Sequence, residues 1–292
     1  MVRQGALRVS IGLAAALGLV AAPHASAAGL GMETVTENAV VNPNSLGSVD
    51  AACPEGHFVF GGGAFSNGAY SETSVDDSYP VDGPDDDSKA DDAWHVTIWN
   101  TASTARNIEA QVICSKLKPK LRSAPSISGD SAPQLNCPKK TQPVGGGVES
   151  GGTFADPTNV ITSRPQDSID DEDTKPDDGW TGYVDQQDFL EFSGNVYVLC
   201  LETRLVKVKY RSEFIEVGPT SQAGNTADCR ESEKLLGIGA ATNSAIMTIV
   251  RMFGADGPDV DLEPDDGVSA SVDNYLTFKR TGSVIAICGT KR

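Results

Sequence analysis

The chain has 292 residues, with 23 basic side chains against 40 acidic ones and a formal net charge of −17. Such a balance repels nucleic acid and anionic lipid, both of which need cationic contacts. Six cysteines, an even count, and an aromatic content of only 6% point to a fold that leans on disulfides.

The first segment reads as a secretory signal peptide over residues 1–27. Arg3 and Arg8 give a positive start, "IGLAAALGLVAA" (11–22) is a short apolar run, and "ASA" (25–27) is a small-residue cleavage site. The run is too short for a transmembrane helix, and no later stretch is apolar enough to span a bilayer. The expected product is secreted, extracellular and soluble. Residues 1–27 hold two basic and no acidic side chains, so their removal leaves a net charge of −19.

From Cys53 onward the chain repeats itself. Aligned on Cys53, Cys137 and Cys229, each copy has a glycine eight residues on (Gly61, Gly145, Gly237) and another at ten (Gly63, Gly147, Gly239). A long acidic segment follows and ends in "DDAW" (91–94), "DDGW" (177–180) and "DDGV" (265–268). Each copy then closes on an apolar run ending in cysteine: "NIEAQVIC" (107–114), "GNVYVLC" (194–200) and "GSVIAIC" (282–288). So many coincident landmarks mark a threefold internal repeat, with copies over 28–122, 123–209 and 210–292 making one compact domain. One bridge per copy then pairs Cys53 with Cys114, Cys137 with Cys200 and Cys229 with Cys288.

Short runs rich in Val, Ile, Phe, Tyr and Thr alternate with Gly, Pro, Asp and Asn clusters, which predicts β-strands throughout. The closing runs are apolar on both alternating faces, so these strands are expected in the interior. Glycine inside a strand marks a bulge, a bend or the close approach of another backbone. Repeated in three copies, it predicts three sheets meeting around a common axis. A phosphate-binding loop is the competing explanation, but no Lys-Ser/Thr and no helix follow.

"CPEG" (53–56), the glycines after it and one closing cysteine per copy resemble the vitelline membrane outer layer protein I family. They are also similar to a group of exported actinobacterial proteins with a "CPxG…GGG" signature. Copy two has Lys140 where Gly56 stands, and copy three reads "CRES". The resemblance implies an all-β, pseudo-threefold β-prism of three Greek-key-type sheets, with one disulfide per repeat. It implies no active site here.

The acidic segments are "DDSYPVDGPDDDSKADD" (76–92), "QDSIDDEDTKPDD" (166–178) and "ADGPDVDLEPDD" (255–266). In the third, Asp259, Asp261, Glu263 and Asp265 alternate, and an extended chain would project them to one side as oxygen ligands for Ca²⁺. Pro264 breaks the EF-hand pattern, and solvated loops explain the same composition. No other cofactor is expected. The paired aspartates before each strand suit turns. "SKLKPKLRS" (115–123) and "VKVKYR" (206–211) read as strands with one basic face, suited to sheet edges; capture of an anionic wall polymer is the competing role.

Trp94 and Trp180 occupy matching places and are expected in the core. Tyr70, Tyr79 and Trp99 lack counterparts in every copy, which makes them candidates for a single recognition surface. His57 and His95 sit in no metal or nucleophile motif, so no catalytic residue is assigned. The reading is a non-enzymatic binding protein for an extracellular glycan or cell-envelope polymer. Its alternative is a structural or protein-interaction factor such as an inhibitor or toxin component. A glycan-active hydrolase using paired acids ranks third.

Overall fold

The computed structural model describes residues 30–84, 87–127, 134–151, 158–167, 175–186, 193–256 and 266–292. The signal segment and the carboxylates Asp259, Asp261, Glu263 and Asp265 lie outside them.

Eighteen strands and no helix make up the described residues. Copy one supplies β1 (Glu33–Val41), β2 (Ser45–Ala52), β3 (Phe58–Ser66), β4 (Thr73–Val81), β5 (Ala93–Asn100) and β6 (Arg106–Ser115). Copy two supplies β7 (Lys120–Ile127), β8 (Gln134–Asn136), β9 (Thr141–Glu149), β10 (Thr158–Gln166), β11 (Gly179–Gln186) and β12 (Ser193–Glu202). Copy three supplies β13 (Val206–Val217), β14 (Ser221–Asp228), β15 (Lys234–Thr242), β16 (Met247–Ala255), β17 (Gly267–Asn274) and β18 (Arg280–Lys291). By strand order, copies two and three thus open at Lys120 and Val206, a few residues before 123 and 210.

The strands form three six-stranded sheets, and each sheet is shared by two copies. The order β2-β5-β4-β9-β12-β7 joins copies one and two, β13-β18-β15-β10-β11-β8 joins two and three, and β1-β6-β3-β16-β17-β14 joins three and one. These are called below the 1–2, 2–3 and 3–1 sheets. Every copy therefore puts its first, third and sixth strands in one sheet and the other three in the next. The chain forms an all-β, pseudo-threefold, β-prism-like arrangement.

The glycines explain how the three sheets close. A Cβ on Gly61 would lie 2.8 Å from the Cα of Gly237, one on Gly237 3.1 Å from the Cα of Gly145, and one on Gly145 3.0 Å from the Cα of Gly61. The three backbones meet in a ring around the axis, where any side chain would push them apart. Each ring glycine follows a bulge, at Phe60, Val144 and Leu236, and all three bulged residues are fully buried. Bulges sharpen the local bend that such a meeting requires. The middle glycines do other work: a Cβ on Gly62 or Gly146 would enter the indole of Trp94 or Trp180. Both indoles are buried, and each donates its N–H to a serine hydroxyl, Ser78 at 3.0 Å and Ser163 at 3.1 Å.

The three bridges are Cys53–Cys114, Cys137–Cys200 and Cys229–Cys288. In each, the first cysteine follows the copy's second strand and its partner sits in the sixth, so every bridge ties two different sheets together. The closing strands are buried as expected: Val112, Ile113, Val198, Leu199, Ala286 and Ile287 are all at most 1% exposed. The second aspartate of each pair, Asp92, Asp178 and Asp266, lies beside its bridge. The amides of Cys53, Cys137 and Cys229 donate to the carbonyls of Asp92, Asp178 and Asp266 at 2.8, 2.7 and 2.7 Å. Of the two basic segments, 206–211 lies wholly in the edge strand β13, but 115–123 is not one strand: Lys116 and Lys118 lie in the connection after β6, and only Lys120 and Arg122 stand on the edge strand β7. Lys118 reaches Asp91 at 2.7 Å. No helix among the described residues is long and apolar enough to cross a membrane.

Candidate functional site

The 1–2 sheet carries a band of aromatic and acidic side chains on its solvent face. Strand alternation buries Ala51, Trp94, Val96, Ser78, Val148 and Val196 on one side and turns their neighbours outward. Register then lines up one row: Asp50 on β2 pairs with His95 on β5, and His95 pairs with Tyr79 on β4. Beyond Gly147 of β9 the row continues with Tyr197 on β12. A Cβ on Gly147 would strike Tyr79, 2.6 Å from its Cα and 3.1 Å from its Cβ. The missing side chain lets Tyr79 and Tyr197 stack across the copy boundary, with centroids 5.4 Å apart and planes 16° from parallel.

Polar groups surround the stack. The His95 ring lies 5.2 Å from that of Tyr79. Its Nδ1 meets Asp50 Oδ1 at 2.5 Å, and its Nε2 lies 3.0 Å from the Thr97 hydroxyl. A carboxylate only accepts, so Nδ1 carries the proton. On the far side, the Tyr197 hydroxyl and the Asn195 amide both donate to Glu149 Oε2 at 2.6 Å. The Tyr79 hydroxyl makes no hydrogen bond among the described residues and is available to a ligand. Burial, with Glu149, Asp77 and Asp50 nearby, pushes the Tyr79 phenol above its usual range. Burial and the bond to Glu149 do the same for Tyr197. Both therefore act as neutral phenols.

Two adjacent carboxylates sit in the next row. Asp77 faces outward opposite Thr97. Asp76 occupies a bulge of β4 and is only 1% exposed. It accepts from the Thr158 amide at 2.8 Å, the Thr158 hydroxyl at 2.6 Å and the Ser150 hydroxyl at 3.1 Å. The Ser150 amide donates to Asp77 at 2.5 Å. The pair thus holds both ends of the β9–β10 connection against β4. Burial raises the Asp76 carboxyl, these bonds opposing it. Burial and the neighbouring Asp76 push Asp77 up to about 6.

Of the three aromatics singled out from the sequence, Tyr79 and Trp99 share this face. Trp99 stands four residues past His95 on β5, about 13 Å along the strand. There it borders a cavity of about 240 Å³ with Thr73, Ser74, Asn159 and Tyr275. Tyr70 packs on Tyr275 at a centroid distance of 5.7 Å, so it joins the band only through the rim of that cavity. Sequence reasoning missed Tyr197, Glu149, Asn195 and the Asp76–Asp77 pair. The one available signal was Tyr197 itself, an aromatic in a closing strand whose counterparts are Gln111 and Ile285. Among the described residues no cluster of His, Cys, Asp and Glu is placed to hold a metal ion. No family model matches this chain, and no curated protein matches it either.

Proposed function

We propose that the protein is a secreted, non-enzymatic binding protein whose ligand is a glycan or cell-envelope polymer held on the solvent face of the 1–2 sheet. The stacked, half-buried Tyr79–Tyr197 pair carries this reading. An aromatic platform accepts the apolar face of a sugar ring, while adjacent carboxylates, amides and hydroxyls bond its hydroxyl groups. Glu149, Asn195, His95 and Asp77 supply those groups on the same face, and the Trp99 cavity extends it along the strands. Three disulfides are compatible with an oxidising compartment outside the cytoplasm. Ca²⁺ held by the oxygens of Asp259, Asp261, Glu263 and Asp265 is part of the proposal.

A glycan array followed by calorimetric titration of the best ligand tests the reading. Tyr79→Ala and Tyr197→Ala should each weaken binding at least about tenfold, as loss of a stacking surface does. Each also loses about 1–3 kcal/mol of stability with the half-buried stack, so binding is measured well below each variant's melting transition. Binding that survives both substitutions moves the ligand elsewhere. The second reading, a protein-interaction factor, is favoured by Phe214, which is 77% exposed on the edge strand β13. It predicts an array without hits and a partner lost on Phe214→Ser.

A further inference from the structure

The threefold repeat gives every sheet the same solvent face, and the 3–1 sheet fills it with different chemistry. Where β4 has Asp77, β16 has Arg251: Asp77 pairs with Thr97, and Arg251 with Ser271, at equivalent places in the register. Arg251 lies beside a cavity of about 490 Å³ whose lining includes Ser269, Ser271, Thr226, Asn225 and Gly224. Among the described residues no carboxylate lines that cavity. The Arg251 Nε donates to Ser271 Oγ at 2.9 Å, which orients the guanidinium. The Phe65 ring backs it, 5.8 Å from centroid to Cζ, and Phe65 packs edge-on against Phe253 at 5.0 Å.

Arg106, Arg204 and Arg211 each meet a glutamate, at 2.7, 2.5 and 2.7 Å. Arg251 meets no carboxylate within ion-pair distance among the described residues, and its two terminal nitrogens make no hydrogen bond there. Three acidic side chains share the face at its margins: Glu109, opposite Phe65 on β6, the exposed Asp228, two residues past Thr226 on β14, and the buried Asp273, two past Ser271 on β17. Burial raises the carboxyls of Glu109 and Asp273. Gly224 keeps the cup open: a Cβ there would lie 2.5 Å from the Ser271 hydroxyl and 2.8 Å from the Ala270 carbonyl oxygen.

We propose that Arg251, with Ser269, Ser271 and Thr226, forms a second binding site, on the 3–1 sheet, for an oxyanion carried on a sugar: a uronic-acid carboxylate or a sugar phosphate. The guanidinium fork matches either anion in two parallel hydrogen bonds. The hydroxyls and amides around it can both donate and accept, as sugar hydroxyls require. Phe253, next along the face, offers an apolar edge. This site stands apart from the Tyr79–Tyr197 band, and its success or failure is read separately.

The test is calorimetry of the oxidised protein with four probes: a galacturonic-acid oligomer, its neutral counterpart, a sugar phosphate and a polyglutamate peptide. Each is run at about 20 and 200 mM salt. The expected result is saturable binding of the uronate, the phosphate or both, weakened by salt, with the two arms telling which anion fits better. Arg251→Gln and Thr226→Glu should each lower that affinity about tenfold or more, Arg251→Lys less. Tyr79→Ala should leave it unchanged. Absence of heat with both oxyanions, unchanged affinity in Arg251→Gln and Thr226→Glu, or binding of the peptide alone would each overturn the proposal. Melting curves accompany each variant, and Thr226→Glu, on the edge strand β14, carries the test if Arg251→Gln fails to fold.

Discussion

Copies one and three solve the same packing problem in opposite ways. Copy one places Gly62 on β3, Trp94 on β5 and Ser78 on β4; copy three has Ile238, Val268 and Met252 at the matching places. In copy one the indole fills the space that Gly62 leaves, and Ser78 satisfies its N–H. Copy two repeats that solution with Gly146, Trp180 and Ser163. In copy three the volume comes from the other strands, and Met252 replaces a hydroxyl that would have no indole to bond. All three of its residues are at most 1% exposed. The interior therefore specifies a total volume and a satisfied polar inventory, not a residue at each site. The outer faces diverge further: Asp77, Tyr79 and His95 of copy one stand where copy three has Arg251, Phe253 and Ser269.

Breaking this complementarity from one side should have the largest effect. Gly62→Ile drives a side chain into Trp94 and should cost at least about 3 kcal/mol, read as a lost or much lowered melting transition of the oxidised protein. Trp94→Val empties the same space and should cost about 3 kcal/mol. Joining both with Ser78→Met rebuilds the copy-three arrangement. The triple variant should return to within about 1.5 kcal/mol of the parent; a loss equal to the sum of the single effects would refute the compensation.

A smaller effect concerns Asp77, which copy three replaces with arginine. Its carboxyl titrates at about 6 in the folded chain against an ordinary 3.8. Between those values the folded state binds more protons than the unfolded one, so stability from this group falls as pH rises from about 4 to about 6. Asp76 shifts in the same direction. Asp77→Asn keeps an acceptor for the Ser150 amide and removes the charge. It should flatten that slope and gain on the order of 1 kcal/mol at pH 7, checked by melting at pH 4, 5, 6 and 7. The smallest change in stability, under about 0.5 kcal/mol, belongs to Tyr79→Phe, which copies Phe253. Its hydroxyl bonds nothing among the described residues, so a weaker glycan affinity in this variant would report contact with the ligand alone.

Local pattern carried much of this architecture. Recurring cysteines identified the repeat and its three bridges, and apolar runs on both faces placed the closing strands inside. Glycines at matched offsets pointed to a shared axis. The aspartate pairs read as turns, and the carbonyls of Asp92, Asp178 and Asp266 receive the cysteine amides. The site was less legible. Tyr79 and Trp99 stood out because the sequence alone shows no recurrence of either in every copy, although the register gives Tyr79 an aromatic counterpart in Phe253. Tyr197 lies 118 residues beyond Tyr79 in a different copy. Asp76 resembled any other acid in an acidic segment. Its counterparts in β10 and β16 are the apolar Ile161 and Val250, a contrast that shows only once the bulges align the strands.

What the amino-acid sequence determined by itself was everything that repeats along one chain: strand character, the threefold period, the disulfide pairing and the need for glycine where backbones meet. Strand alternation tells which residues share a face, but not which strand lies alongside. Backbone hydrogen bonds between strands are alike for nearly all residues. The joining of β4 to β9, of β10 to β15 and of β16 to β3 is therefore set by how the copies close around the Gly61–Gly145–Gly237 ring. Only that closure brought Tyr79 onto Tyr197 and left Arg251 facing an open, hydroxyl-lined cup.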